Sequence, residues 1–372
     1  MSPSWSPAVT VVGAGLAGCE AALQLACRGV PVQLVEMRPE TPTPAHQTGD
    51  PAEIVCSNSL KSTVLSTASG CLKQEMELLG CRLLQLARAA AVPAGAALAV
   101  DKAAFSRLVR EALEAEPLIR LETGQVRELP ARPDHLWLVA GGPLSSPDLI
   151  REIGTLTGQP ALHFFDAIAP TVTADSLDTE ILFRAARYDK GDSDYWNAPL
   201  DQEQYESLHR ELLAAERAAV HDFDRADLFD GCQPIEEIAA SGPQSLAFGP
   251  LRPVGLKDPR TGRRPHAVIQ LRQENLEGTL YGLVGFQTRL KFGEQKRVFR
   301  QIPGLAKAEF VRYGQMHRNF YLDTPRCLAA DFSLPARPDV FLAGQITGVE
   351  GYVESMASGL VTALRAVARL RG

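Results

Sequence analysis

The sequence predicts an α/β fold in which a discontinuous domain built on a parallel sheet is interrupted by an inserted α+β domain. Three observations carry this. Val9-Thr-Val-Val12 runs into Gly13-Ala14-Gly15-Leu16-Ala17-Gly18 and then an Ala/Leu-rich helix. Leu136-Trp-Leu-Val-Ala-Gly-Gly142 is a second apolar strand ending in glycines. Asp339-Val-Phe-Leu-Ala-Gly344 is a third, and an apolar helix follows it from about Ser355. A strand of the first type returning this late implies a split domain. We divide the chain into 1–165 with 325–372, and an insertion at 166–324.

The first element is a βαβ unit. The strand, glycine turn, helix and glycine stop at Gly29 are followed by a second strand, Val32-Gln-Leu-Val-Glu36. Gly13 permits the tight turn, Gly15 lets the backbone approach a pyrophosphate, and Gly18 permits close helix–strand packing. The helix N-terminus offers amide donors and partial positive charge to phosphates. Glu36 ends the second strand 23 positions after Gly13, where an acid binds ribose hydroxyls. Strand, helix, second strand and terminal acid in register make this a dinucleotide signature rather than a chance glycine motif.

The later strands choose between NAD and FAD. Leu136–Gly142 resembles the second glycine signature of disulfide-reductase-type flavoproteins. In FAD folds a late strand such as Asp339–Gly344 rejoins the sheet, and Gly344-Gln345 leads to a helix whose N-terminus lies against the flavin. The expected fold is therefore a Rossmann-like FAD-binding domain of disulfide-reductase type.

Composition narrows the rest. The chain has 372 residues, 45% hydrophobic and 22% charged, ordinary for a soluble globular protein with ample core. The strand at Ala8–Val12 begins almost at once, with no basic leader or cleavage site before it. The most apolar window, Ala87–Val100, is broken by Pro93 and Gly95 and is too short to span a bilayer. The expectation is a cytoplasmic protein with no membrane partner. Seven cysteines lie scattered with no C-x-x-C and no zinc-like spacing, so neither a disulfide framework nor a metal is expected. Cys19 and Cys27 fall in the Ala/Leu-rich helix and read as buried small hydrophobes; Cys71, Cys81 and Cys327 read as structural.

Two cysteines have a different setting. Cys56 ends a short apolar run and faces Ser57, Asn58, Ser59 and Lys61, donors and a cation that favour a thiolate. Cys232 lies 176 positions later in Phe229-Asp-Gly231-Cys-Gln-Pro234, between Asp230 and Glu236, acids that oppose one. His46, in the Pro-rich run Thr41–Thr48, reads either as a ligand contact or, more plainly, as a surface-loop histidine.

Charge is uneven. Arg252 to Arg318 holds 14 Lys/Arg against 5 Asp/Glu, and Asp175 to Glu237 holds 6 against 17. The basic stretch either forms a phosphate-facing surface or pairs with the acidic one, and the count alone leaves both open. Cations mixed with Phe292 and Phe299 suit RNA, where phosphates give affinity and an unstacked base enters a pocket.

These blocks resemble one family across nearly the whole chain: the folate- and FAD-dependent tRNA (uracil-5-)-methyltransferases, relatives of the flavoproteins that modify the tRNA wobble uridine. The matching segments are Gly13–Gly18, Glu53–Lys61, Val92–Gly95, Ala97–Asp101, Phe165–Pro170, Gly231–Glu236, Phe248–Leu256, Gln270–Asn275, Val284–Leu290, Met316–Asn319 and Gly344–Ser355. The resemblance implies FAD as cofactor, methylenetetrahydrofolate and NAD(P)H as co-substrates, and the T-loop uridine of tRNA as target. By the same resemblance Cys232 is the nucleophile that adds to uracil C6, and Cys56 the second thiol, handling the C5 proton or a flavin-bound methylene. The family normally continues beyond the helix that ends here at Leu370-Arg-Gly372. That difference admits two alternatives: a paralogue acting on ribosomal RNA, or a flavin/folate RNA-binding protein without methylation. A flavin thiol-disulfide reductase is disfavoured, since no closely spaced cysteine pair sits beside the FAD signature. The oligomeric state is left open.

Overall fold

The computed structural model describes residues 6–189, 193–219, 228 and 230–372. Phe229, at the head of the Cys232 motif, lies outside them, as does the Asp230 side chain.

Val9–Val12 is buried at all four positions because it sits in the middle of a parallel sheet. It pairs with Val32–Glu36 on one side and Leu136–Val139 on the other, Val9 opposing both Val32 and Leu136. The full order is Ser333–Leu334, Arg337–Leu342, Leu136–Val139, Val9–Val12, Val32–Glu36, Ile119–Thr123, and only the first of these runs antiparallel. The late strand thus returns to the first sheet, as its sequence predicts.

The glycine turn works by close approach. Gly13 has φ +97°, and a Cβ there would lie 2.6 Å from the Ala140 carbonyl oxygen. A Cβ on Gly18 would lie 1.8 Å from the Gly13 carbonyl oxygen. The helix that follows, Leu16–Ala26, is buried along its whole length. One flank is covered by the C-terminal helix Tyr352–Arg371, which begins three residues before the expected Ser355. Gly359 lets the two helices touch, since a Cβ there would sit 2.2 Å from the Ala17 carbonyl oxygen.

The apolar window Ala87–Val100 closes the helix Arg82–Ala89 and then forms two short antiparallel strands, Ala91–Val92 and Ala97–Val100. Among the described residues no helix is long and apolar enough to cross a membrane.

A second sheet is antiparallel, in the order Phe183–Arg184, Trp196–Leu200, Ala267–Gln273, Leu280–Leu283, Thr171–Thr173, Phe310–Arg312. It has its own core, which includes Tyr205, Ile269, Phe286 and Phe299. Helix Gln202–Ala214 packs there behind a capping box made by Asp201 and Gln204. A separate antiparallel pair, Leu162–Ala167 with Met316–Tyr321, carries the chain into and out of this region. Its register sets Asp166 directly opposite His317.

Candidate active site

A cavity of about 370 Å³ opens where the glycine turn, the Val55–Lys61 segment, the antiparallel pair and the loop before the C-terminal helix converge. Gly15, Leu16, Ala17, Glu36, Gly344 and Gln345, all predicted cofactor contacts, line it together with Cys56 and Cys232. Gly13 and Gly18 stand behind the wall as packing glycines. Gly15 does the opposite job: a Cβ there would meet nothing within 4 Å, so its face is open to the cavity. It caps the Leu16–Ala26 helix with no side-chain hydrogen bond, leaving the first-turn amides available. An open glycine at an uncapped helix N-terminus fits a pyrophosphate, so these residues suit a dinucleotide such as FAD.

Glu36 is already engaged. Its carboxylate accepts from the Ala14 amide at 2.8 Å and from the Arg38 amide and Nε at 3.0 and 2.9 Å. Burial alone would raise its carboxyl, but the Arg38 hydrogen bonds and charge outweigh it and hold the group below the usual range. An ionised acid at the cavity wall suits ribose hydroxyls. At the far end Gly344 has φ +80°, and a Cβ there would come within 2.8 Å of Ala17 Cβ. Its amide donates to Ser358 Oγ at 3.0 Å, which ties the 3₁₀ turn starting at Gln345 to the C-terminal helix.

The two thiols meet. The sulfurs of Cys56 and Cys232 and a carboxylate oxygen of Asp166 all lie within 4.8 Å of one another. The Cys56 amide donates to Tyr352 Oη at 2.8 Å, and its carbonyl accepts from Lys102 Nζ at 2.8 Å. Cys232 ends a 3₁₀ turn, pinned by the Ile235 amide donating to the Gln287 carbonyl at 2.7 Å. Its thiol is pushed strongly up by a hydrogen bond to Cys56, by burial and by the charge of Asp166. Burial raises the Asp166 carboxyl to about 6, although hydrogen bonds from Cys232, Ala167 and Asn319 favour its charged form. Burial likewise lifts the Tyr352 hydroxyl, which stays protonated.

Several expectations need correction. The polar residues after Cys56 hold structure rather than facing its sulfur. Ser57 Oγ and Asn58 Oδ1 accept from Arg272 at 2.5 and 2.7 Å, and Lys61 pairs with Glu354 at 2.7 Å. The nearby cation is Lys102, which the local sequence gave no reason to place there. Glu236 does not face Cys232 either; its carboxylate accepts from Thr288 Oγ1 and the Arg289 amide, both at 2.8 Å. The acid beside the thiol is Asp166. His46 is no surface histidine: it lines the cavity, its Nδ1 is 2.6 Å from Thr43 Oγ1, and burial beside Arg38 pushes it down to about 4. Cys27 is exposed because the helix ends one residue before it, and Cys71 is exposed too.

The basic stretch divides in two. Lys291 pairs with Glu216 at 2.6 Å, Arg289 with Glu237 at 2.7 Å, and Arg297 with Glu294 at 2.7 Å as well as Glu211, so part of it is neutralised by the acidic stretch. Lys257, Arg263, Arg264 and Lys296 are exposed, with no acidic partner among the described residues.

Asp166, Lys102, Tyr352, His317 and Asn319 were missed as site residues. Four of them fall in or beside segments that carry the family resemblance, Phe165–Pro170, Met316–Asn319 and Gly344–Ser355, but nothing in their spacing points to a shared cavity.

A family model described as glucose inhibited division protein A matches residues 8–372. The methylenetetrahydrofolate--tRNA-(uracil-5-)-methyltransferase TrmFO of Desulfitobacterium hafniense (strain Y51) is 55% identical over 364 residues, covering 98% of this chain and 83% of that protein. The protein of the same name from Lactobacillus helveticus (strain DPC 4571) is 51% identical over 364 residues, covering 98% of this chain and 89% of that one. Among solved structures, Aquifex aeolicus GidA in the form II crystal superposes with a TM-score of 0.73 at 16% identity, covering 100% of this chain and 65% of that one. The last likeness bears out the predicted Rossmann-like α/β fold.

Proposed function

The chain belongs to the glucose inhibited division protein A family, and from that premise we infer an FAD-dependent methyltransferase that forms 5-methyluridine in tRNA. Methylenetetrahydrofolate is the carbon donor and NAD(P)H the reductant. The observation that carries the reading is the meeting of Cys56 and Cys232 at the wall of a cavity lined by the glycine turn. Names of relatives supply the substrate; the site supplies the chemistry that fits it.

Uracil C5 is a weak nucleophile. Addition of a thiolate at C6 makes C5 enolate-like, able to attack an electrophilic one-carbon unit. Cys232 is that thiol, as the family resemblance implies, and its 3₁₀ turn sets it beside Asp166 and Cys56. Cys56 takes the C5 proton, after which the C6–sulfur bond breaks and the pyrimidine is restored. The carbon arrives at the methylene level and leaves as methyl, so each turnover consumes two electrons. FAD, when bound, supplies those electrons. Gly13, Ala14, Gly15, Leu16, Ala17, Gly18, Glu36, Gly344 and Gln345 would hold it.

The division into 1–165 with 325–372 and an insertion at 166–324 belongs to the same proposal. It is supported by separate cores under the parallel and antiparallel sheets. RNA reaches the insertion through exposed cations of the Lys257–Arg264 loop and Lys296. The setting is the cytoplasm, and the target is the T-loop uridine.

The test is an assay of purified, FAD-loaded protein with methylenetetrahydrofolate, NADPH or NADH, and a tRNA transcript. The expected product is 5-methyluridine, and Cys232→Ala should abolish a denaturation-resistant protein–RNA adduct. A yellow protein that methylates no tRNA refutes the reading, and an adduct that survives in Cys232→Ala moves the nucleophile elsewhere.

A further inference from the structure

We propose that Asp166 is a catalytic residue: its carboxylate takes the Cys232 thiol proton as the sulfur adds to the pyrimidine and returns it when the sulfur leaves. The proposal rests on the uracil-methylation reading above.

The geometry makes the need plain. Cys232 is enclosed by groups that all favour its protonated form, namely Cys56, Asp166 and low-dielectric surroundings. A neutral thiol does not add to C6, so its proton must be accepted within hydrogen-bond reach as the substrate arrives. Asp166 meets that requirement. It touches Cys232, it lines the cavity, and its Oδ1 is buried with no hydrogen-bond partner among the described residues. A buried carboxylate with an unused acceptor is costly unless something later fills it.

The surroundings keep Asp166 a base rather than half of an ion pair. On its own strand the Ala167 amide bonds to it. Across the antiparallel pair stand His317, whose Nε2 is 4.0 Å away, and Asn319. The Cys56 segment contributes its thiol, and the loop and helix beyond contribute Glu350 and Tyr352. His317 is neutral, since burial, helped by the nearby charge of Arg312, pushes it down to about 4. Among the described residues no lysine or arginine forms a salt bridge with Asp166, in contrast to Glu36, which is locked to Arg38. The strand register, with Asp166 directly opposite His317, fixes where the carboxylate points.

The step balances. The S–H bond breaks, its proton goes to Asp166, and its electron pair forms the bond from sulfur to C6 while the C5–C6 π pair moves onto the enolate. After the carbon is bound, Cys56 removes the C5 proton, the C6–sulfur bond breaks with its pair returning to sulfur, and Asp166 gives its proton back. The proton exchange between Cys232 and Asp166 is itself redox-neutral; the two electrons that bring the carbon to methyl are those assigned to FAD above.

Asp166→Asn makes two readouts move in opposite directions. In the FAD-loaded variant, removal of the negative charge should speed iodoacetamide alkylation of Cys232 at neutral pH, followed by peptide mass spectrometry. With no proton acceptor, formation of the adduct with tRNA should slow at least ~100-fold, the scale of general-base assistance. Asp166→Glu should recover part of that rate. Retained FAD absorbance reports that the variants are folded. Adduct formation in Asp166→Asn within about threefold of wild type overturns the proposal. So does a loss of alkylation and adduct together, which would mean that Asp166 only shapes the pocket. A wild-type protein that forms no adduct at all instead overturns the uracil reading, and this one with it.

Discussion

The Asn58 side-chain amide donates to the Gln273 carbonyl at 3.0 Å, joining the segment that carries Cys56 to a strand 215 positions away. The same amide donates to the Val100 carbonyl at 3.0 Å, and its oxygen accepts from Arg272 Nε at 2.7 Å. Asn58 is fully buried, so each of these bonds is made away from water. It is also two residues from Cys56, while Gln273 belongs to the antiparallel sheet whose core holds Ile235, three residues after Cys232. Asn58 therefore ties the segment that carries Cys56 to the antiparallel sheet.

Asn58→Ala should test this clasp. It leaves two buried carbonyls and a guanidinium short of a partner, a cost of about 3 kcal/mol. Urea unfolding measures that loss. Because the glycine turn lies elsewhere, FAD retention should change little while tRNA adduct formation collapses. A variant that loses FAD and adduct in the same proportion would show that Asn58 supports the whole fold rather than the thiol pair.

The glycines of the turn separate binding from folding. Gly15→Ala meets no atom within 4 Å, so stability without FAD should stay within about 0.5 kcal/mol of wild type while FAD affinity falls. Gly18→Ala would place a methyl group 1.8 Å from the Gly13 carbonyl oxygen, with backbone on both sides of the clash. That overpacking should cost about 3 kcal/mol. Thermal unfolding with and without added FAD distinguishes the two. Equal destabilisation of the FAD-free proteins would contradict the division of labour.

How much of this was legible follows the same line between local and distant. The βαβ unit could be read because each part is set by neighbours in sequence: strand, turn glycines, helix, then Glu36. The two thiols stood out through their own short motifs. Their surroundings did not, because Asp166 and His317 reach the cavity, and Lys102 the Cys56 carbonyl, through strand register and helix packing that no local pattern encodes. Glu236 shows the converse failure. It follows Cys232 by four positions, but the helix starting at Ile235 turns its carboxylate toward Thr288 and Arg289. Cys27 missed burial by one residue, since the helix stops at Ala26 and the following turn exposes it. Charge counting could not separate Lys291, neutralised by Glu216, from Arg263 and Arg264, which pair with no acid among the described residues.

Acid should expose the histidine behind the site. His317 is buried, and desolvation with nearby positive charge pushes it down to about 4, against an ordinary value of 6.5. Between those two pH values the unfolded chain binds a proton that the folded protein refuses, so this residue's contribution to stability is complete above about pH 6.5 and lost as pH falls toward 4. The loss amounts to about 3 kcal/mol. Asp166 acts in the opposite sense. Its carboxyl is raised from 3.8 to about 6, so the folded protein holds the extra proton and gains a similar amount over an overlapping window. Wild-type stability should therefore change little through this pair alone. His317→Gln removes the loss and leaves the gain. Relative to wild type, the variant should become more stable by about 3 kcal/mol as pH drops from neutrality to about 4, whatever offset it has at neutral pH. Urea unfolding of both proteins across that range measures the difference, in which the remaining titrating groups cancel. Parallel stability curves would mean that the folded protein takes up the His317 proton as readily as the unfolded chain, so that burial does not hold the ring neutral.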